Sequence, residues 1–134
     1  MRTGAGGAAI PAEGGRRGGR AVADCIFCRI VAGDIPARLL HSDDAVVAFA
    51  DGSPQAPTHV LVVPRAHHGS LGAIPPGEEA ILGRLLGTCR DLAVRLGLGG
   101  GYRVVINTGR DGGQTVDHLH VHLLGGRAMT WPPG

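Results

Sequence analysis

Apolar residues recur at steps of three and four through Leu82, Leu85, Leu86, Cys89, Leu92, Ala93 and Leu96. That period places one apolar stripe on a helix and turns it towards a core. Pro75-Pro76-Gly77-Glu78-Glu79 is predicted to open this helix, with acids suited to the positive end of its dipole, and Gly97 stands where a C-terminal cap belongs. Cys89 lies on the stripe and is expected to be a buried thiol rather than a nucleophile. A shorter helix is predicted over Cys25–Ala32, ended by Gly33. Strands are expected at Arg38–His41, Ala45–Ala50 and Thr58–Val63, the last stopped by Pro64, with turn chemistry at Ser42-Asp43-Asp44 and a proline-bearing loop at Gly52–Pro57. Tyr102–Ile106 reads as a fourth strand and His118–Leu124 as a fifth, with a glycine-rich loop over Thr108–Thr115 between them. One long helix inserted among five strands joined by short turns predicts an α+β domain whose antiparallel sheet is covered on one face.

The fifth strand carries the densest chemistry. His118, His120 and His122 occupy alternate positions, so on a strand they share one face at about 6.6 Å per pair, while Leu119, Val121 and Leu123 face the core. A buried imidazole needs its own hydrogen-bond partner, so three on one face are an unlikely piece of core capping. Two functional readings remain. In one, the middle residue, His120, is a neutral nucleophile whose first ring nitrogen is held so that the second attacks. In the other, the row ligates a catalytic metal; that reading wants a nearby carboxylate, and Asp117 points to the opposite strand face. The loop Asn107-Thr108-Gly109-Arg110-Asp111-Gly112-Gly113-Gln114-Thr115 enters directly before the row. Glycines allow backbone N–H groups to converge on an anion, and Asn107 and Thr115 add side-chain donors. A phosphate held there would lie beside the histidines.

Composition narrows the classes. All 13 basic residues are arginine, which excludes lysine Schiff-base chemistry and a Walker-type lysine. Residues 25–134 hold nine arginines against nine acids, so the net charge of +2 sits in residues 1–24, with four arginines against two acids. A neutral domain lacks the basic footprint of a nucleic-acid binder. No apolar run is long enough for a membrane span, and no apolar segment near Met1 suggests a secretory signal. Residues 1–24 are expected to form a disordered Gly/Arg-rich extension and residues 25–134 the folded domain. The expected location is cytoplasmic. A mitochondrial or plastid transit peptide is the alternative for the Arg-bearing, acid-poor start. Three cysteines make no disulfide framework.

Several long motifs occur in order: Cys28-Arg29-Ile30-Val31-Ala32-Gly33-Asp34-Ile35-Pro36-Ala37, then Ser53 through Pro64, Gly101 through Asn107, Asp111 through Val116, the histidine row, and Gly125-Gly126-Arg127 through Trp131-Pro132-Pro133-Gly134. With them, residues 25–134 resemble the histidine triad superfamily, in its HINT branch of nucleotide-binding hydrolases. The resemblance implies a five-stranded antiparallel sheet with one long and one short helix, and a homodimer that joins two such sheets into ten strands. It also implies hydrolysis of purine nucleoside 5′-phosphoramidates and acyl adenylates to AMP, with a nucleotidyl intermediate on His120. By the same resemblance His122 contacts the phosphate oxygens, and His118 orients the nucleophile through its carbonyl. Asn107, Gly113, Thr115 and Val116 surround the phosphate, Thr115 or a water assists protonation of the leaving amine, Asp51 binds the ribose hydroxyls, and His59 lines the pocket. Gly52 follows Asp51 where many eukaryotic members carry a bulky apolar residue, which implies a looser base pocket. Trp131 is expected to reach a partner subunit.

Cys25 and Cys28 stand at a spacing that suits tetrahedral zinc, although two ligands are not a site. Some members of the family complete such a pair with a histidine after the third strand and the first triad histidine. Those positions here are His67 and His118, so the resemblance implies a structural zinc with no open position and no cofactor in the chemistry itself. His68 is the alternative ligand, and two buried thiols the alternative reading. Two other functions compete with the phosphoramidase: a nucleotide-binding regulatory or scaffold protein with vestigial hydrolysis, and a hydrolase using a metal on the histidine row.

Overall fold

Two runs of consecutive apolar residues decide the architecture. In the computed structural model, which describes Val22 and residues 24–134, every side chain of Val46–Phe49 and Val60–Val63 is buried. The extension expected over residues 1–24 lies outside the described residues, apart from Val22 and Asp24. The strands are β1 (Leu39–Ser42), β2 (Val46–Ala50), β3 (Thr58–Pro64), β4 (Tyr102–Val105) and β5 (Val121–Gly125). They form one antiparallel sheet in the order β1-β2-β3-β5-β4. The helices are α1 (Ile26–Val31) and α2 (Ala80–Arg95).

Side chains alternate across a strand, so an unbroken buried run needs cover on both faces. The sheet is therefore covered on two faces, not one as expected. On one face Leu85, Cys89, Leu92 and Ala93 of α2 pack against Val46, Ala48, Val60, Val62, Leu119, Val121 and Leu123. On the other, Phe27 of α1 packs against Val47, Phe49, Leu61 and Val63. Burial pushes the Cys89 thiol up to about 11, which keeps it protonated and inert, as its place on the stripe suggested.

The ends of α2 divide into one expected and one unexpected. Gly97 has φ +75°, and its N–H donates to Val94 O (3.2 Å) while Leu98 N–H donates to Ala93 O (2.9 Å). That pair of bonds is the Schellman motif that a glycine after a helix permits. The start is later than expected. Gly77 takes φ +89°, which a right-handed helix cannot continue, and Glu79 Oε1 accepts the Gly77 N–H at 3.0 Å, so the two acids precede the first turn. Arg84 of α2 reaches Asp43 Oδ1 and Asp44 Oδ1, both at 3.0 Å, and so ties the helix to the β1–β2 turn. His41, to which the sequence assigned nothing, bonds Asp43 Oδ2 at 2.6 Å.

The largest departure lies at the histidines. β5 begins at Val121, not His118. The last ladder pair is Val62↔Val121. Before it the chain leaves the sheet, and the Leu119 N–H donates instead to His68 O at 2.7 Å. The alternation survives without the strand: Leu119, Val121 and Leu123 are buried in the α2-side core, while the histidines lie on the side of α1.

Candidate active site

Each histidine of the row is fixed by a different partner, and the partners decide the tautomers. A carbonyl only accepts, so a ring nitrogen facing one must carry the proton. His120 Nδ1 lies 2.7 Å from His118 O, so it holds the proton and leaves a lone pair on Nε2. His118 Nε2 lies 3.0 Å from Pro64 O, so it donates there and its Nδ1 carries the lone pair. His118 is fully buried and His120 nearly so. A neutral imidazole with one nitrogen anchored and a lone pair on the other is a nucleophile or a general base.

His122 is set through His59. The Gln55 N–H donates to His59 Nδ1 (3.0 Å), so His59 carries its proton on Nε2. That Nε2 faces His122 Nδ1 at 2.9 Å and Asp51 Oδ2 at 3.3 Å. His122 Nδ1 therefore accepts, and its proton sits on Nε2. That Nε2 is buried and has no partner among the described residues. An orphaned buried donor is costly and calls for an acceptor from outside the chain. Burial, then the neighbouring His120 and His59 rings, hold the His122 pKa down at about 4, so the ring is neutral at pH 7. Burial likewise lowers His59, with Asp51 opposing. The His120 and His122 ring centroids are 5.0 Å apart, with the two rings edge to face.

The glycine-rich loop is built by Gln114. Its Nε2 donates to Gly69 O (2.7 Å) and Val116 O (2.9 Å), and its Oε1 accepts the Gly109 N–H (2.9 Å). The Gly113 amide, expected to face an anion, serves the loop itself: its N–H donates to Arg110 O (3.1 Å), and the neighbouring Gln114 N–H donates to Gly109 O (3.0 Å). A Cβ on Gly112 would lie 2.4 Å from Thr108 O, so the turn closes only on glycine. Thr115 is exposed, Asn107 is half-buried two residues past β4, and Val116 packs against the cluster that contains Phe27. Phe27 in turn meets the His120 ring at 5.1 Å.

Cys25, Cys28, His67 and His118 come together, with one ligand atom from each lying within 4.8 Å of the others. His118 Nδ1 is 3.4 Å from Cys25 Sγ, 3.5 Å from Cys28 Sγ and 3.2 Å from His67 Nδ1, and His67 Nδ1 is 3.3 Å from Cys28 Sγ. The edges of a tetrahedron around zinc with two sulfurs and two nitrogens are about 3.3–3.8 Å. The donor set, its spacing and the lone pair that Pro64 leaves on His118 Nδ1 all fit that ion. His67 belongs to the group; His68, its sequence alternative, instead presents its carbonyl to Leu119. A hydrogen bond from the Cys28 thiol lowers the Cys25 thiol, against burial and with help from His118. Cys28 is raised by the same partnership and by burial.

Phe27 and Gln114 were not singled out in the sequence. The signals were an aromatic residue between two paired cysteines and an amide side chain enclosed by the glycines of the loop. The anchors Pro64 O and Gln55 N–H carry no side-chain signature at all.

Known proteins bear on this arrangement. Residues 32–129 match the HIT domain. The chain is 47% identical over 111 residues to adenylylsulfatase HINT1 of Arabidopsis thaliana, covering 81% of this chain and 76% of that protein. It is 47% identical over 113 residues to a 14 kDa zinc-binding protein of Brassica juncea, covering 83% of this chain and all of that one (100%). A HIT family hydrolase of Legionella pneumophila superposes with a TM-score of 0.81 at 45% identity, over 83% of this chain and 100% of that one. With the motif matched over most of its length and the same sheet and helices around it, this chain belongs to the HIT domain family.

Proposed function

We propose that this chain is a HINT-branch hydrolase that cleaves purine nucleoside 5′-phosphoramidates, and acyl adenylates, to AMP through a nucleotidyl intermediate on His120. The observation that carries the reading is the opposed pair of tautomers. His120 offers a lone pair on Nε2, and beside it the neutral His122 offers an unpartnered N–H on Nε2. The first attacks the α-phosphorus and the second donates to a phosphate oxygen as charge develops. His120 Nε2 forms the P–N bond as the P–N bond to the leaving amine breaks. The amine takes a proton from Thr115 or a water. Water then attacks phosphorus, gives its proton back to the group that protonated the amine, releases AMP and returns the His120 lone pair. Asn107, Thr115 and Val116 are assigned to the phosphate and Asp51 to the ribose hydroxyls; the Gly113 N–H, committed to Arg110 O, is left out of that set. Asp51 also steadies His59, whose Nε2–H it shares with His122.

An adenylyl-sulfate linkage, the substrate class in the Arabidopsis relative's name, presents the same phosphorus with a leaving group that needs no proton. Cys25, Cys28, His67 and His118 are proposed to hold zinc, consistent with the name of the Brassica relative. With four protein ligands that ion supplies a structural cross-link rather than a position for substrate. Trp131, 82% exposed, and the free edge of β4 support a homodimer, which sedimentation would test.

The decisive experiment is mass spectrometry of enzyme quenched during turnover of adenosine 5′-phosphoramidate. An adenylyl adduct on the peptide containing His120 is expected, absent in His120→Ala, which should still bind AMP. Turnover by that variant equal to wild type would remove the nucleophile assignment. Tight AMP binding with negligible turnover in the wild type would favour the regulatory reading instead.

A further inference from the structure

His118 belongs to two arrangements at once. Its ring reaches into the Cys25–Cys28–His67 group through Nδ1, while its main-chain carbonyl accepts the Nδ1–H of His120 at 2.7 Å. Residues 118–120 precede the first ladder pair of β5, so the sheet does not hold them. Their anchors are the His118 ring, gripped at both nitrogens, and the Leu119 N–H on His68 O. The residue after His67 thus supplies that carbonyl, and the next, Gly69, takes Gln114 Nε2. The turn of α1 that carries the two cysteines also backs the row: the Phe27 ring lies 6.0 Å from the His118 ring and 5.1 Å from the His120 ring, edge-on to both.

We infer that Cys25, Cys28 and His67 are positioning residues for His120, acting through His118: by holding His118 Nδ1 they fix the carbonyl that sets the tautomer and the aim of the nucleophile. This rests on the reading of His120 given above. The consequence is geometric. A carbonyl that swings away releases the His120 Nδ1 proton, and the ring then samples the tautomer with its lone pair on the wrong nitrogen. Displacing a reacting atom by about 1 Å costs on the order of 100-fold in rate, and loss of outer partners of a metal ligand typically costs about 10–100-fold.

The test compares wild type loaded with zinc, stripped by chelator and reloaded with cobalt, beside Cys25→Ser. Cys25 caps α1 by accepting the Cys28 N–H at 3.3 Å, and serine keeps that cap while removing a thiolate. Stripped wild type and Cys25→Ser should lose about 10–100-fold in kcat on adenosine 5′-phosphoramidate, with KM and AMP affinity nearly unchanged. Cobalt should restore kcat, because position and not the metal's own chemistry is at stake. Ring-nitrogen NMR of His120 should report one tautomer, protonated on Nδ1, in the loaded protein and a mixture in the other two. Folded, metal-free protein with undiminished kcat and the same single tautomer would overturn the inference. If stripping unfolds the chain, Cys25→Ser decides. If His120→Ala matches wild-type turnover, the nucleophile reading fails, and the His120 ring signals alone then decide whether the cluster controls that ring.

Discussion

Replacing His122 by asparagine should flatten the acid side of the stability profile. Burial first, then the His120 and His59 rings, hold the folded His122 at about 4 against an ordinary value of 6.5. An unfolded chain takes up this proton as pH falls through 6.5, whereas the folded chain does not until about 4. Between those values the unfolded state binds more protons, so stability drops as pH drops. From pH 7 to about pH 4.5 a full shift of this size corresponds to about 2.4 kcal/mol. The ring is only half-buried, and solvent screening reduces the expected loss to about 1 kcal/mol. Urea unfolding at the two pH values, on wild type and His122→Asn, isolates the contribution, because the other titratable groups are common to both proteins. Wild type should lose about 1 kcal/mol more than the variant over this interval. Parallel losses would refute the claim that burial keeps His122 neutral, and with it the assignment of the proton to Nε2.

Leu85, fully buried between α2 and the sheet, should cost about 2–5 kcal/mol as Leu85→Ala, read as a lower urea midpoint at unchanged slope. Gly112→Ala forces a Cβ against Thr108 O and should cost about 1–3 kcal/mol, with weaker AMP binding by calorimetry as the loop shifts. Asp43 is held at about 2: burial would raise it, but bonds from His41, the Ala45 and Val46 amides and the Arg84 charge prevail. Its stabilisation is complete above an unfolded value near 3.8 and is lost as pH falls towards 2, so Asp43→Ala should cost about 1 kcal/mol at pH 7 and nothing at about pH 2 in urea melts.

The sequence made the chemistry more legible than the path of the backbone. The stripe from Leu82 to Leu96 and the glycine behind it announce α2 because helix period and cap chemistry are local. The His row and the cysteine pair stand out because imidazole and thiol have few bland uses in such spacing. The start of β5 does not stand out: alternation at 118–120 is maintained by bonds to Pro64 O and His68 O, and a carbonyl's partner is written nowhere in the side chains. The covering of both sheet faces was present in the unbroken apolar runs of β2 and β3, but a short helix with one large aromatic residue gives little sign of which face it will occupy. The route from Gln55 through His59 to His122 joins residues that only the β3–β5 register brings side by side.

The separation between Cys25 and His118 is 93 positions, and this has a consequence for synthesis. The two thiols leave the ribosome well before the ring that meets them. A nascent chain ending before residue 118 holds the two thiols without His118 and has none of the histidine row. Contacts this distant in sequence close slowly, so the four-donor cluster and the histidine row form together and late, and a cut before residue 118 removes His118 from the one and the whole of the other.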